Sequence, residues 1–262
     1  MILKRVKVNV PYVGETNCYI VQCEKTKEAM VVDPGGEVDK IVEMLNTIQA
    51  KLKYILLTHC HADHIAGVSE LKNRYGGKVL IHRYDEQGLK EPDVNLGEYV
   101  GTGIITIEAD ARVDDNDLLH VGEIEFKVIH TPGHTKGGIC LYSAEKKLLF
   151  SGDTMFRGSW GRTDLPTSNF PDIINSITNK LMPLPEDTIV YPGHRKIDND
   201  KRGRTYLFRA KAKTILEIIY CSTYIYYKNK PSRAGAGNPY ASKGCREFIF
   251  IINICTTIKI YN

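Results

Sequence analysis

Short apolar runs of β-favouring residues recur along this chain, and four of them end in a turn followed by histidine or aspartate. Tyr54-Ile55-Leu56-Leu57 runs into Thr58-His59-Cys60-His61-Ala62-Asp63-His64. Phe126-Lys127-Val128-Ile129 runs into His130-Thr131-Pro132-Gly133-His134. Leu148-Leu149-Phe150 leads to Ser151-Gly152-Asp153, and Thr188-Ile189-Val190-Tyr191 leads to Pro192-Gly193-His194. Over the whole chain the pattern predicts strands near 2–10, 16–23, 28–33, 52–58, 78–82, 120–130, 138–143, 147–151 and 187–191. Helical spacing appears between them. Val38, Ile41, Val42, Leu45 and Ile48 form one apolar stripe. Ile173, Ile174, Ile177 and Leu181 form another, with Pro171 where a first helical turn accepts proline.

The first strand end carries the densest chemistry. His59 and His61 are two apart, so in extended backbone they project to one side. Asp63 and His64 follow after a turn and reach a second point a few ångströms away. Imidazole with carboxylate suits Zn²⁺, Fe or Mn²⁺ better than Ca²⁺ or Mg²⁺. If the four strands share a sheet, seven candidate ligands lie along one edge: His59, His61, Asp63, His64, His134, Asp153 and His194. Glycine beside a ligand lets backbone approach closely.

In this order the motifs resemble the metallo-β-lactamase-fold hydrolases, and within them the glyoxalase II-like (hydroxyacylglutathione hydrolase-like) branch. Supporting stretches are Val31-Val32-Asp33-Pro34-Gly35-Gly36, Thr131-Pro132-Gly133-His134-Thr135, Ser151-Gly152-Asp153-Thr154 and Phe156-Arg157-Gly158-Ser159-Trp160-Gly161-Arg162-Thr163-Asp164-Leu165-Pro166. The likeness spans roughly residues 1 to 200. It implies an α+β fold, a four-layer αββα sandwich, and two divalent metal ions, zinc first with iron or manganese as alternatives. His59, His61 and His134 would hold one ion; Asp63, His64 and His194 would hold the other, with Asp153 bridging. Asp63 would also orient the attacking hydroxide, Asp33 would fix a ligand imidazole from behind, and Arg162 would bind substrate. Thr163 and Asp164 depart from the aromatic pair that full-length glyoxalase II enzymes carry there, which weighs against glutathione itself as the carrier.

The chemistry favours a thioester substrate such as an S-acyl glutathione. A thiolate, whose conjugate acid has a pKa of about 8.5, leaves at neutral pH with little proton donation. Rival readings share the fold: a mononuclear iron enzyme like the persulfide dioxygenases, or a lactonase. Asp153 stands where β-lactamases usually carry Cys or Ser, which disfavours that activity. A non-catalytic protein is expected only if the altered sequence after His194 removes that ligand. Plainer roles suit other residues: Cys60 as a buried neighbour, Asp33 as a turn former, and His82, His120 and His130 as solvated or partly buried side chains.

Charge and length add boundaries. The 262 residues, 42% hydrophobic, suffice for one full core. Residues 1–203 carry 25 Lys and Arg against 29 Asp and Glu, a net of −4, and residues 204–262 carry 10 against 2, a net of +8. The slightly acidic 1–203 region predicts no nucleic-acid surface. No apolar run approaches the roughly 20 residues of a membrane span, and Met1-Ile2-Leu3-Lys4-Arg5-Val6-Lys7 alternates like a strand rather than a signal peptide. Seven cysteines without framework spacing read as reduced thiols in a cytoplasmic protein. Residues 204–262, basic and rich in Ile and Tyr, read as a poorly packed or frame-shifted extension rather than a helical glutathione-binding domain. The partner expected is a small-molecule thioester, with no nucleic acid and no membrane.

Overall fold

Period-two alternation decides which way each strand faces. In strand β2 (Gly14–Gln22) Cys18 and Ile20 point one way and Tyr19 and Val21 the other, and all four are buried. Strand β3 (Glu28–Val32) repeats this with Ala29 and Val31 against Met30 and Val32. A strand with both faces apolar must lie inside a layered structure, covered on both sides. The computed structural model shows that arrangement and describes residues 1–156 and 159–194. Arg157 and the C-terminal extension beginning at residue 204 lie outside the described residues.

The first sheet has six strands in order β1 (Ile2–Val10), β2, β3, β4 (Lys51–Leu56), β5 (Lys78–His82) and β6 (Ala111–Val113). Pairing is antiparallel through β1, β2 and β3 and parallel from β3 to β6. The second sheet contains β7 (Leu118–Val121), β8 (Ile124–His130), β9 (Ile139–Ser143), β10 (Leu148–Gly152) and β13 (Ile189–Pro192), in order β13-β10-β9-β8-β7. A small hairpin, β11 (Met155–Phe156) with β12 (Ser159–Trp160), stands apart. One core fills the space between the sheets, with Tyr19, Met30, Leu56, Phe126, Leu141 and Phe150. A second lies under helices α1 (Val38–Thr47) and α3 (Val68–Tyr75), where Val38, Ile41, Leu45 and Leu71 meet Ile20, Val31 and Ile55. Each such buried side chain stabilises the fold by about 1.5–3 kcal/mol. Helix α2 (Ala62–Ile65) and helix α4 (Pro92–Asn95) are single turns.

Two expectations are corrected in detail. The predicted strand at 120–130 is two strands, because Gly122 takes a left-handed φ of 59° and turns the chain between β7 and β8. The stripe at 173–181 does not form one regular α-helix. Helix α5 (Phe170–Asn175) starts at Asn169, whose side chain accepts from the Asp172 amide at 3.1 Å, and continues as a π-helical segment, Ser176–Leu181. Ile173, Ile177 and Leu181 are four apart, a spacing that wider winding accommodates on one face, and all three are buried.

The strand ends are what matter for chemistry. β4 delivers His59 to His64, β8 delivers His134, β10 delivers Asp153 and β13 delivers His194. The first of these loops comes from one sheet and the other three from the second. The Ile139 amide donates to the Thr58 carbonyl at 2.9 Å, tying the two sheets together at this edge.

Candidate metal centre

All seven expected donors converge. Three groups lie with their donor atoms within 4.8 Å of one another: His59, His61 and His134; His59, His64 and Asp153; and Asp63, His64 and His194. His61 Nδ1 is 2.9 Å from His134 Nε2, and His64 Nε2 is 3.2 Å from His194 Nε2. Asp153 Oδ2 stands between the two halves, 3.6 Å from His134 Nε2 and 3.3 Å from His194 Nε2. Asp63 Oδ2 lies 3.0 Å from His194 Nε2.

The hydrogen bonds behind the rings fix their orientation. His134 Nδ1 donates to the Arg162 carbonyl at 2.8 Å and His194 Nδ1 to the Glu15 carbonyl at 3.3 Å. A carbonyl only accepts, so both Nδ1 atoms carry the proton. His64 Nδ1 donates to Asp33 Oδ2 at 3.0 Å. The Thr58 hydroxyl gives its single proton to Asp33 Oδ2 at 2.7 Å and therefore accepts from His59 Nδ1 at 3.1 Å. Four imidazoles thus turn Nε2 lone pairs into a space that two carboxylates also enter. His59 Nε2 and Asp153 Oδ1 are buried without a hydrogen-bond partner among the described residues. Lone pairs this close repel unless protons or metal ions lie among them, and imidazole with carboxylate is a donor set that fits divalent metal ions.

Asp33 serves both roles the sequence allowed. Its φ of 54° makes the turn into Pro34-Gly35, and its carboxylate accepts from the Thr58 amide, the Thr58 hydroxyl and His64. One buried side chain orients a donor in each half of the cluster. His194 is held by residues that precede it in the chain. The Asn17 amide donates to the Gly193 carbonyl at 2.7 Å, and Asn17 Nδ2 and the Tyr19 hydroxyl both donate to the Pro192 carbonyl. Gly193 is needed there, because a Cβ at this position would lie 2.4 Å from Asp153 Oδ1 and 2.5 Å from His64 Cε1.

Electrostatics divide the cluster. Burial, reinforced by surrounding imidazoles, holds His59 well below its ordinary range; burial and His134 push His61 down to about 3. Burial also opposes charge on His64 and His194. There Asp63, Asp153 and Asp33 lift His64 to about 9, and Asp153 and Asp63 lift His194 to about 11. Burial would raise Asp153, but His194 and His64 outweigh it and hold its carboxyl well below the usual range.

Arg162 contributes in a way its side chain does not announce. Its main-chain carbonyl orients His134, while its guanidinium makes a bidentate pair with Asp164, at 2.9 Å for both bonds. Cys60 is fully buried and outside every donor group, and His82 stacks on His130 with ring centroids 4.1 Å apart, also away from the cluster. The sequence pattern does not single out Thr58 or Asp85. Asp85 is a buried carboxylate after β5; a signal for it exists in the apolar run Val79-Leu80-Ile81 ending at His82 and Asp85, which repeats the strand-then-acid layout without a glycine.

Comparison with known proteins agrees with this geometry. The model of the metallo-β-lactamase superfamily matches residues 11–194. Hydroxyacylglutathione hydrolase GloC of Haemophilus influenzae is 33% identical over 202 residues, covering 74% of this chain and 93% of that protein. Among solved structures, the B3 metallo-β-lactamase BLEG-1 is 34% identical with a TM-score of 0.68, covering 74% of this chain and 92% of its own. TTHA1623, crystallised in a di-iron-bound form, is 29% identical with a TM-score of 0.64, covering 79% and 97%. By fold, motif order and donor geometry alike, this chain belongs to the metallo-β-lactamase superfamily.

Proposed function

We propose that this protein is a binuclear metal-dependent hydrolase of a small-molecule thioester, of the S-acyl glutathione type. The observation that carries it is the convergence of four proton-fixed imidazoles and two carboxylates whose free atoms are all acceptors. His59, His61 and His134 would hold one ion and Asp63, His64 and His194 the other, with Asp153 shared. Two ions held by these residues would supply a water whose pKa falls from about 15.7 towards about 7 and a Lewis acid for the scissile carbonyl. Zinc suits the donor set, and the di-iron form of a relative makes iron the first alternative.

The chain's own residues then do the positioning. Burial would raise the Asp63 carboxyl, but His64 and His194 hold it below its usual range, so it is ionised at neutral pH and would orient the attacking hydroxide by accepting its hydrogen bond. Asp33 keeps His64 turned inward directly and His59 through the Thr58 hydroxyl. Ala62, between the ligand positions, packs with Val10 and Val100 in a small buried cluster. Arg162 stands at the rim, where its charge, shared with Asp164, would meet the carrier portion of the substrate. Because the cluster offers acceptors rather than proton donors, it matches a leaving thiolate better than a leaving amine. GloC, named as a hydroxyacylglutathione hydrolase, supports the same choice.

The experiment is a comparison of kcat/KM on S-acyl glutathiones, lactones and β-lactams with zinc- and iron-loaded protein, Asp63→Ala as control. Thioesters should lead by at least about 10²-fold, about 2.7 kcal/mol of transition-state discrimination. A β-lactam in front would move the chain to the activity for which BLEG-1 is named. Oxygen uptake with a persulfide by the iron form would make it a dioxygenase.

A further inference from the structure

A third segment, outside the converging donors, links the two loops that carry His59, His61 and His134. Asp85 is 2% exposed and accepts three hydrogen bonds. The Cys60 amide, between His59 and His61, donates to Oδ2 at 3.1 Å. The Thr135 hydroxyl, next to His134, donates to the same oxygen at 2.6 Å, and the Gly137 amide donates to Oδ1 at 2.5 Å. The approach is close enough that a Cβ on Gly137 would lie 2.5 Å from the Asp85 amide nitrogen and 2.6 Å from Oδ1.

We propose that Asp85 is the positioning residue that sets the spacing between the His59–His61 loop and His134, and so tunes one half of the metal centre without touching it. This rests on the binuclear reading above.

The Ile139 amide bond to the Thr58 carbonyl ties the bases of the two loops, and Asp85 ties them further out, at Cys60, Thr135 and Gly137. One follows β4 in the first sheet and the other follows β8 in the second, and three donors of one candidate ion site are divided between them. A carboxylate is the group that can accept from both loops at once, using separate lone pairs. Burying it is costly, and burial accordingly raises its pKa; a side chain serving stability alone could be apolar at this position. Instead each of its three donors is within three residues of His59, His61 or His134. The other half does not lean on Asp85. His64 is fixed by Asp33, and His194 by the Glu15 carbonyl.

Asparagine is nearly isosteric but can offer only one carbonyl oxygen, so Asp85→Asn turns an NH₂ towards either Gly137 N–H or the Cys60–Thr135 pair. The test is zinc titration of chelator-stripped protein, by calorimetry with a competing chelator, with circular dichroism on the same samples. Wild type should take up two equivalents. Asp85→Asn should keep one at wild-type affinity and bind the other about 10–100-fold more weakly. In a His134→Ala background, which already weakens that equivalent, adding Asp85→Asn should change little further. Thr135→Val, which removes one hydroxyl and no charge, should weaken the same equivalent by less, and it carries the test should Asp85→Asn not fold. Two unchanged equivalents in both variants, or equal weakening of both equivalents, overturns the assignment of Asp85 alone. Wild type binding no metal overturns the hydrolase reading and this inference together.

Discussion

His59 and His61 lie within a few ångströms of His64 and His194, yet their surroundings drive the same side chain in opposite directions. The first pair sits among imidazoles, backed by a hydroxyl, and burial holds both rings neutral. The second pair faces Asp63 and Asp153, and carboxylates outweigh burial to hold protons on both rings in the absence of metal. His59 and His61 therefore present free lone pairs to an ion at neutral pH. The other pair must exchange a proton for the ion, so its affinity is linked to pH. Donor identity alone therefore does not define a half-site; the groups packed around each ring do.

The largest effect should come from the residue common to both halves. Asp153→Ala should lower kcat/KM by at least about 10³-fold, since metal ions contribute several kcal/mol to the transition state and each 1.36 kcal/mol is tenfold. Metal content of the purified variant should fall with it. Next is Asp33→Asn, which disturbs His64 directly and His59 through Thr58. Both zinc equivalents should weaken, by about 10–100-fold, in a chelator competition; loss confined to one would break the symmetry of its two hydrogen-bond arms.

Gly193→Ala acts on His64 and on the shared Asp153. Its Cβ would collide with Asp153 Oδ1 and His64 Cε1, and the expected cost is about 1–3 kcal/mol of stability, read by urea unfolding. In chelator-stripped protein the two histidine pairs should give opposite pH limbs. His64 and His194, raised to about 9 and 11, contribute stability that is full below the unfolded pKa of about 6.5 and lost as pH rises through those values. His59 and His61, depressed, give the reverse: unfolded chains bind more protons below about 6.5, so stability falls as pH drops towards the folded values. Thermal unfolding of the stripped protein should peak near pH 6.5, and a midpoint flat from pH 6 to 10 would contradict the assignment of charges. The smallest effect is Arg162→Ala. Its guanidinium is an exposed pair with Asp164, worth about 0–1 kcal/mol, and its carbonyl survives the substitution. KM should shift by less than about fivefold with kcat unchanged.

Much of this centre was legible before any coordinates, because strands ending in His or Asp leave a local pattern. Tyr54 to Leu57 followed by three histidines and an aspartate is a statement about one loop, and four such loops can meet only at one edge of the sandwich. Asp33 was legible for similar reasons, lying at the end of β3. What escaped is non-local or carried by main chain. Asp85 answers donors 25 and about 50 residues away, and the carbonyls of Arg162 and Glu15 have no side-chain signature at all. The π-helical winding at Ser176–Leu181 was hidden because a stripe of buried isoleucines is equally consistent with ordinary helical turns. Strand β6, three residues at a sheet edge, is too short to show a period.

The most direct test is a crystal structure of the purified protein with anomalous data collected at the metal edge. Two peaks per chain are predicted, one about 2.0–2.2 Å from nitrogens of His59, His61 and His134 and one at similar range from Asp63, His64 and His194, with Asp153 between them. A centre with no ion, or with His194 turned away and one ion only, would contradict the account.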